Sequence, residues 1–249
     1  LEFRRVLFRS VADMREALKP GAPQLHAEAP GNLCFDWHQG DKAKVDEAFQ
    51  AAKHKIAIDV VNNRVVVASM EPRAALAVYD AGSDRYTLHT NTQGVHSVRR
   101  MLADVLKIPA EKLRVITPDV GGGFGMKLFL YAEHVLVTYA AKKLGKPVKW
   151  TSERTEAFLS DTQGRDNLTR GEIALDADGK ILALRVSTLA NMGAYLSNFA
   201  PFIPTMAGTR VLSVQYRMLA IYVEVKAVFT NTVPIDAYRG PGRPEANYL

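Results

Sequence analysis

The 249-residue sequence predicts an α+β fold of mixed sheets with packed helices. Two observations predict it. Segments rich in β-branched and aromatic residues follow one another in runs instead of alternating regularly with helices, which argues against a regular α/β architecture. A hydrophobic content of 47% supplies an ample core for a chain of this length, with no internal repeat or low-complexity segment.

Taken in order, residues 1–10, LEFRRVLFRS, match the translation of a common sequencing-library adapter and are set aside as an artefact. Residues 11–34 carry Pro20, Gly21, Pro23, Pro30 and Gly31 and read as a linker or the tail of a preceding domain. Residues 35–249 read as one domain, cut at its C-terminal end, so the chain is taken as an internal fragment.

Within that body a short helix is expected near 44–53, then strands at 56–61, 64–69, 75–79 and 86–90. Val98, Met101, Leu102, Val105 and Leu106 recur at helical spacing and predict a helix over 95–106, its apolar stripe facing the core. A strand at 113–117 precedes a glycine cluster and a long helix at 128–144, followed by a strand at 147–150 and a short helix at 153–159. Asp176-Ala177-Asp178-Gly179 is a hairpin signal between strands at 171–175 and 180–190. A last strand at 220–230 leads into a Pro/Gly-rich stretch at 234–244.

Composition narrows the function classes. The formal charge is +6, of which Arg4, Arg5 and Arg9 against Glu2 contribute +2, leaving +4 from Val11 onward. This balance is ordinary, and no nucleic-acid partner is expected. No run of 18 apolar residues exists, since Glu133 and His134 interrupt the most apolar segment, so no membrane span is expected. The single cysteine, Cys34, rules out an internal disulfide and fits a reducing, cytoplasmic compartment. With His26, His38, His54, His89, His96 and His134 it offers no zinc spacing, and it reads as an inert core residue. Trp37 and Trp150 read as packing residues, and Asn167-Leu168-Thr169 is a formal glycosylation sequon.

The most informative segment is Gly121-Gly122-Gly123-Phe124-Gly125-Met126-Lys127, between a strand and a helix. A glycine cluster in this position leaves backbone N–H groups unobstructed and open to a polar or anionic ligand, or it forms a plain tight turn. A dinucleotide-binding, Rossmann-like reading needs G-x-G-x-x-G, but Met126 or Leu128 stands where the last glycine belongs. A phosphate-binding P-loop needs glycine directly before lysine, and Met126 intervenes. Two further segments bear on the choice. Asn91-Thr92-Gln93 ends a strand just before a helix, where a side-chain amide can be held rigidly, and Ala237-Tyr238-Arg239-Gly240-Pro241-Gly242-Arg243-Pro244-Glu245-Ala246 sets an arginine among Gly and Pro.

In this order, Thr92-Gln93, GGGFGxK and AYRGxGRPEA resemble the large, molybdenum-binding subunit of the molybdenum hydroxylases: xanthine dehydrogenase, aldehyde oxidase and aerobic carbon monoxide dehydrogenase. The resemblance extends over nearly all of residues 11–249, including Asn62-Asn63-Arg64, Met70-Glu71-Pro72-Arg73, the segment 145–150 and Phe229-Thr230-Asn231. It implies the first molybdenum-cofactor-binding domain of the xanthine oxidase type. By similarity Gln93 is the glutamine whose amide approaches an oxygen ligand of the molybdenum, and Arg239 the arginine beside the metal centre. These two are the catalytic residues implied here. Gly122, Gly123, Phe124 and Gly125 match the loop abutting the metal and the pterin, so the cofactor-binding set is Gln93, Gly122, Gly123, Phe124, Gly125 and Arg239. No residue is assigned as a metal ligand.

The resemblance also implies what accompanies this domain. The cofactor is molybdenum-molybdopterin, in the cytosine dinucleotide form by likeness to bacterial members. The 2Fe-2S clusters and FAD sit on an iron-sulfur small subunit and an FAD medium subunit, with the rest of the large subunit completing a dimer of heterotrimers. Family members hydroxylate an electron-poor carbon with water as the oxygen source, and electrons leave through iron-sulfur clusters to a flavin. The activating base is a glutamate of a later domain beyond Leu249, so neither Glu71 nor Glu245 takes its role and the fragment alone is expected to be inactive. Copper-dependent carbon monoxide dehydrogenases carry a cysteine after the loop arginine, where this chain has Gly240 and Pro241. Purine-oxidising members carry a glutamate after the lysine, where this chain has Leu128. Aldehydes or N-heteroaromatics are therefore the expected substrates, and the Tyr-Arg-Gly loop resembles the form II carbon monoxide dehydrogenase-like proteins. The alternative kept beside this reading is a non-catalytic homologue or a dinucleotide-binding Rossmann-like module. The segment 70–73 is expected to be structural, its proline fixing a turn and its charges pairing.

Overall fold

In the computed structural model, which describes residues 10–249, the strands form two sheets that belong to two compact units. Residues 1–9, which carry most of the adapter match, lie outside the described residues. One unit joins the chain up to Val65 with Thr162–Leu249, and the other is the continuous segment Val66–Asp161.

The discontinuous unit holds β1 (Leu33–Gly40), β2 (His54–Asn62), β7 (Asn167–Leu175), β8 (Ile181–Gly193) and β9 (Ala220–Phe229). They form a five-stranded sheet in the order β1-β9-β8-β7-β2, antiparallel except for the β8–β9 pair. The central strands carry the core: Val186, Ala190, Met192, Val223, Val225 and Ala227 are buried together, with Cys34 and Trp37 packed against them. Cys34 is a free thiol, and burial pushes its pKa up, as suits an inert packing residue. Helix α2 (Lys42–Ala51), capped by Asp41 accepting from the Lys44 amide at 3.1 Å, packs Val45 and Phe49 on Ala174, Ala183 and Tyr222. In the β7–β8 hairpin Asp176 Oδ1 accepts from the amides of Asp178 and Lys180, and Gly179 takes the left-handed backbone the turn requires. Asn167 of the sequon is buried in β7.

Residues 11–32, read from sequence as a linker or tail, include a short helix α1 (Met14–Ala17). Val11, Met14 and Ala17 are buried against Val228, and Asn32 Nδ2 donates to the carbonyls of Ala17 and Pro23.

The continuous unit holds β3 (Ala74–Asp80), β4 (Arg85–Thr90), β5 (Leu113–Ile116) and β6 (Val148–Thr151), ordered β5-β4-β3-β6. Two helices, α3 (Val95–Leu106) and α4 (Ala132–Leu144), pack Val98, Leu102, Val137 and Ala141 on Ala75, Ala77 and Leu88. Of the predicted stripe Val105, in the last turn of the helix, remains exposed, and Lys107 ends the helix in a left-handed conformation. The glycine cluster and α4 connect β5 to β6, which lie at opposite edges of the sheet. The Rossmann-like alternative requires neighbouring parallel strands across such a connection, and this topology does not provide them.

Two element predictions need correction. Residues 64–69 form no strand: Val65 makes one bridge to Gly164, and Ala68 adopts φ +47°, which breaks an extended run. The helix predicted over 128–144 begins only at Ala132, after a 3-10 turn at Met126–Leu128. Its start is fixed by His134, whose Nδ1 accepts from the Tyr131 amide at 3.2 Å. Thr90 Oγ1 gives its hydrogen to the Ala74 carbonyl, so His134 Nε2 must be the donor in the 3.1 Å contact to Thr90. The ring is therefore the neutral Nε2–H tautomer, and burial pulls its pKa from 6.5 to about 4.

The unit is tied at its centre by Arg73, 1% exposed, which meets Asp161 at 2.6 Å and Glu133 at 2.8 Å and lies 3.6 Å from the Tyr131 ring centroid. Trp150 packs on the same guanidinium. The short helix α5 (Arg154–Ser160) closes the group through Ser160 Oγ. Among the described residues no helix is long and apolar enough to cross a membrane.

Arg73→Leu strands two carboxylates and is expected to destabilise the chain by about 3–5 kcal/mol, read from urea unfolding. For His134 the unfolded ring takes a proton before the folded one. Stability is whole above pH 6.5 and falls by about 3 kcal/mol as pH drops to about 4. His134→Gln is expected to flatten that slope in unfolding curves measured across the interval.

Candidate functional site

The segment leading out of β4 is held on both sides. Asn91 Oδ1 accepts from the Ala74 amide at 3.0 Å and its Nδ2 donates to the Pro72 carbonyl at 2.8 Å. Thr92 Oγ1 and the Gln93 amide both donate to the Lys127 carbonyl, at 2.8 and 3.0 Å. Gln93 thus stands at the mouth of α3 with its backbone fixed, as its position between strand and helix predicts.

The glycine cluster wraps around the Gln93 side chain. Gly122, Phe124 and Gly125 have φ of +93°, +53° and +102°, an uncommon sequence of left-handed residues that explains two of the glycines. A Cβ at Gly123 would lie 2.4 Å from Gln93 Oε1 and 2.5 Å from its Cδ, so only glycine lets the amide reach the loop. There the Gly125 amide donates to Gln93 Oε1 at 2.9 Å. The carbonyl end of Gln93 is consumed by the loop, which turns its Nε2 outward as a two-hydrogen donor.

Two donors are left over. Gly123 is buried, and neither its N–H nor Gln93 Nε2 has an acceptor among the described residues. Buried N–H groups are nearly always paired, so an unmatched one beside a rigid carboxamide marks a place for an external acceptor. The Phe124 ring folds back toward Gly122, whose added Cβ would meet it at 3.0 Å, and stays 43% exposed.

Arg239 belongs to the other unit, where its loop is pinned differently. Arg165 donates to the carbonyls of Tyr238 at 2.8 Å and Arg239 at 3.0 Å. Gly164 admits Tyr238, since a Cβ there would lie 2.4 Å from Tyr238 Cβ. Arg165 and Asp166 both hold left-handed backbone, φ +66° and +68°, a strained pair for non-glycine residues. That strain is held by Arg64, which donates to Asp166 at 2.8 Å, Gln163 at 2.9 Å and the Val233 carbonyl at 2.7 Å. Asp236, 1% exposed, accepts from the amides of Phe199 and Ala237; burial pushes its pKa up, against the lowering effect of these bonds. The Arg239 side chain is exposed beyond this fixed backbone.

Gln93 and residues 122–125 therefore come together in the unit Val66–Asp161, and Arg239 sits on a loop braced within the other. Sequence reasoning missed Arg165 and the pairing of Glu71 with Lys127. For Arg165 the only local signal is Gly164 before it. In segment 70–73 the charges pair, as expected, but each with a partner far along the chain. The donors brought together in the continuous unit, a backbone N–H and a carboxamide N–H, suit a ligand whose outer atoms are oxygens.

Comparison with known proteins agrees with this chemistry. Residues 25–249 match the family model of the molybdopterin cofactor-binding domain. The chain is 36% identical over 82% of its length to subunit gamma of the 6-hydroxypseudooxynicotine dehydrogenase complex of Paenarthrobacter nicotinovorans, covering 25% of that protein. It is 34% identical over 96% of its length to the carbon monoxide dehydrogenase large chain of Hydrogenophaga pseudoflava, covering 32% of it. Among solved structures, quinoline 2-oxidoreductase from Pseudomonas putida 86 superimposes with a TM-score of 0.86 at 32% identity, over 94% of this chain and 30% of that one. The chain thus spans about a quarter to a third of the length of these relatives. It belongs to the molybdopterin cofactor-binding domain family, as a domain of the molybdenum hydroxylase large subunit.

Proposed function

We propose that this chain forms one wall of a molybdenum-molybdopterin centre in a hydroxylase acting on an aldehyde or an N-heteroaromatic substrate. The observation that carries the proposal is the pair of unmatched donors, the buried Gly123 N–H and Gln93 Nε2, side by side in a loop held in place by Gln93 and Glu71. When bound, the cofactor supplies the redox chemistry by which the family hydroxylates an electron-poor carbon with oxygen from water. Gly123 and Gln93 donate to its oxygens, Gly122 and Gly125 keep side chains off the approach, and Phe124 presents a flat ring beside it. Arg239 contributes a fixed positive charge from its own loop. None of these groups moves a proton, and no carboxylate of this chain is assigned as the base.

Substrate class follows from what the loops lack. The one thiol, Cys34, lies in β1, so residues 237–244 offer no thiolate for a copper ion, and carbon monoxide is not the proposed substrate. Leu128 offers no polar partner to a purine. Two of the similar proteins are named for a pyridine-derived compound and for quinoline, which supports an N-heteroaromatic. Names such as subunit gamma and large chain support a multi-subunit assembly, and the reading adds to it an iron-sulfur subunit and an FAD subunit that accept the electrons. The cytosine dinucleotide form of the cofactor, the dimer of heterotrimers and a cytoplasmic location complete the reading.

The full-length protein coexpressed with its partners is expected to contain molybdenum by elemental analysis; tight nicotinamide binding without molybdenum overturns the reading. In that enzyme Gln93→Ala and Arg239→Ala are each expected to lower kcat by about 100-fold; Arg239→Ala is expected to shift unfolding stability by less than about 1 kcal/mol, and Gln93→Ala, which also removes the acceptor of the Gly125 amide, by about 1–2 kcal/mol. Steady-state kinetics beside thermal unfolding separates the two effects, and an unchanged rate removes the residue from the site.

A further inference from the structure

The glycine cluster is locked from behind by a charge pair that the reading above does not use. Lys127, at the exit of the cluster, has a side chain only 1% exposed and donates to Glu71 Oε2 at 2.9 Å. The same oxygen accepts from the amide of Gly121, at the entrance of the cluster, at 2.7 Å. One carboxylate oxygen therefore holds both ends of the loop. The Glu71 amide returns a bond to the Gly121 carbonyl at 3.0 Å, and a Cβ at Gly121 would stand 2.5 Å from Glu71 Cβ. This explains the first glycine, which has no left-handed backbone to justify it.

Glu71 is itself firmly mounted. Three consecutive carbonyls around it each accept from a side chain: Met70 from Arg154 Nη2, Glu71 from Ser69 Oγ and Pro72 from Asn91 Nδ2, all at 2.8 Å. Lys127 is equally committed, since its carbonyl takes the Gln93 amide and the Thr92 hydroxyl while its ammonium takes Glu71. The two residues connect the segment carrying Gln93 with both ends of the loop carrying Gly123. A buried ammonium is costly without a compensating charge, so an uncharged residue in place of Glu71 does not reproduce the contact. Burial raises the Glu71 pKa, but Lys127 and the Gly121 amide outweigh it and hold the group below the usual carboxylate range, ionised at neutral pH.

We propose that Glu71 and Lys127 are a positioning pair that sets the glycine loop, and with it Gly123 N–H and the Gln93 amide, into its cofactor-receiving geometry before the cofactor arrives. The pair touches no reacting atom. Its role toward the cofactor rests on the function proposed above, whereas its hold on the loop does not.

The test has one arm without metal and one with it. In the 249-residue chain, Glu71→Gln is expected to speed amide exchange at Gly121, Gly125 and Met126 by about 10-fold while leaving α3 unchanged. Lys127→Met, and the double variant, which leaves no uncompensated ammonium, are expected to speed the same amides and serve if Glu71→Gln does not fold. In the molybdenum-loaded enzyme, Glu71→Gln is expected to alter the electron paramagnetic resonance of the metal centre and to lower kcat by about 10-fold with KM within about 2-fold. Loop exchange that stays at the wild-type rate, or that rises equally in α3, overturns the positioning role. Altered exchange with an unaltered resonance and rate overturns its link to the cofactor. A wild-type enzyme without molybdenum overturns the functional reading instead, and the exchange arm still decides whether the pair holds the loop.

Discussion

The amide of Gln93 occupies the space in which a Cβ at Gly123 would stand, and the site of the continuous unit depends on that intimacy. Because the loop has no side chain there, it can fold around a carboxamide and use the carboxamide's oxygen as its own acceptor. The oxygen end is spent on structure, and the nitrogen end faces outward with nothing to answer it. A donor presented this way needs no reorganisation when a ligand oxygen comes, which is the condition under which a hydrogen bond counts most. The other loop, carrying Arg239, reaches a similar fixity by a different route. There a guanidinium, Arg165, grips the backbone carbonyls from a strained turn that Arg64 and Asp166 hold in place.

Both constructions spend ionisable groups on rigidity. Arg73, Lys127, Arg165 and Arg64 all sit largely out of water, and each is matched by at least one carboxylate. Interiors made only of aliphatic side chains would be cheaper in desolvation, but they cannot hold a backbone carbonyl or amide at a set distance. A site that works by aiming N–H groups needs the directional partners, and the charges beneath the loops provide them. The hydrophobic clusters do the opposite job: they hold sheets and helices together without specifying where any one N–H points.

Much of this was legible in the sequence. Helices and hairpins with strong periodicity or turn chemistry, such as 95–106 and the Asp176–Gly179 turn, stand where the pattern puts them. The segments that misled did so for local reasons. A valine-rich run at 64–69 has strand composition, but a left-handed Ala68 ends it. The apolar stretch from 128 looks continuous, but His134 caps a helix that begins four residues later than predicted. Gln93 and the glycines were visible because their chemistry is concentrated in short motifs. Arg165 was not, and for Glu71 only the expectation that its charge would pair was visible and not its partner, because each is defined by a residue dozens of positions away, and no spacing rule connects Glu71 with Lys127 or Arg165 with Tyr238.

The chain path has a consequence for how the molecule is made. The unit Val66–Asp161 is a continuous stretch, so every strand its sheet requires is available once that stretch has been synthesised. The other unit is interrupted by it, and its first two strands are made long before their partners: β1 must wait for β9, and β2 for β7. Until then two strands, β2 with Ile56 and Ile58 among its apolar residues, stand unpaired on the nascent chain. The interrupted sheet can therefore close only after β9, ending at Phe229, has been made, whereas the continuous unit lacks none of its strands once Asp161 has.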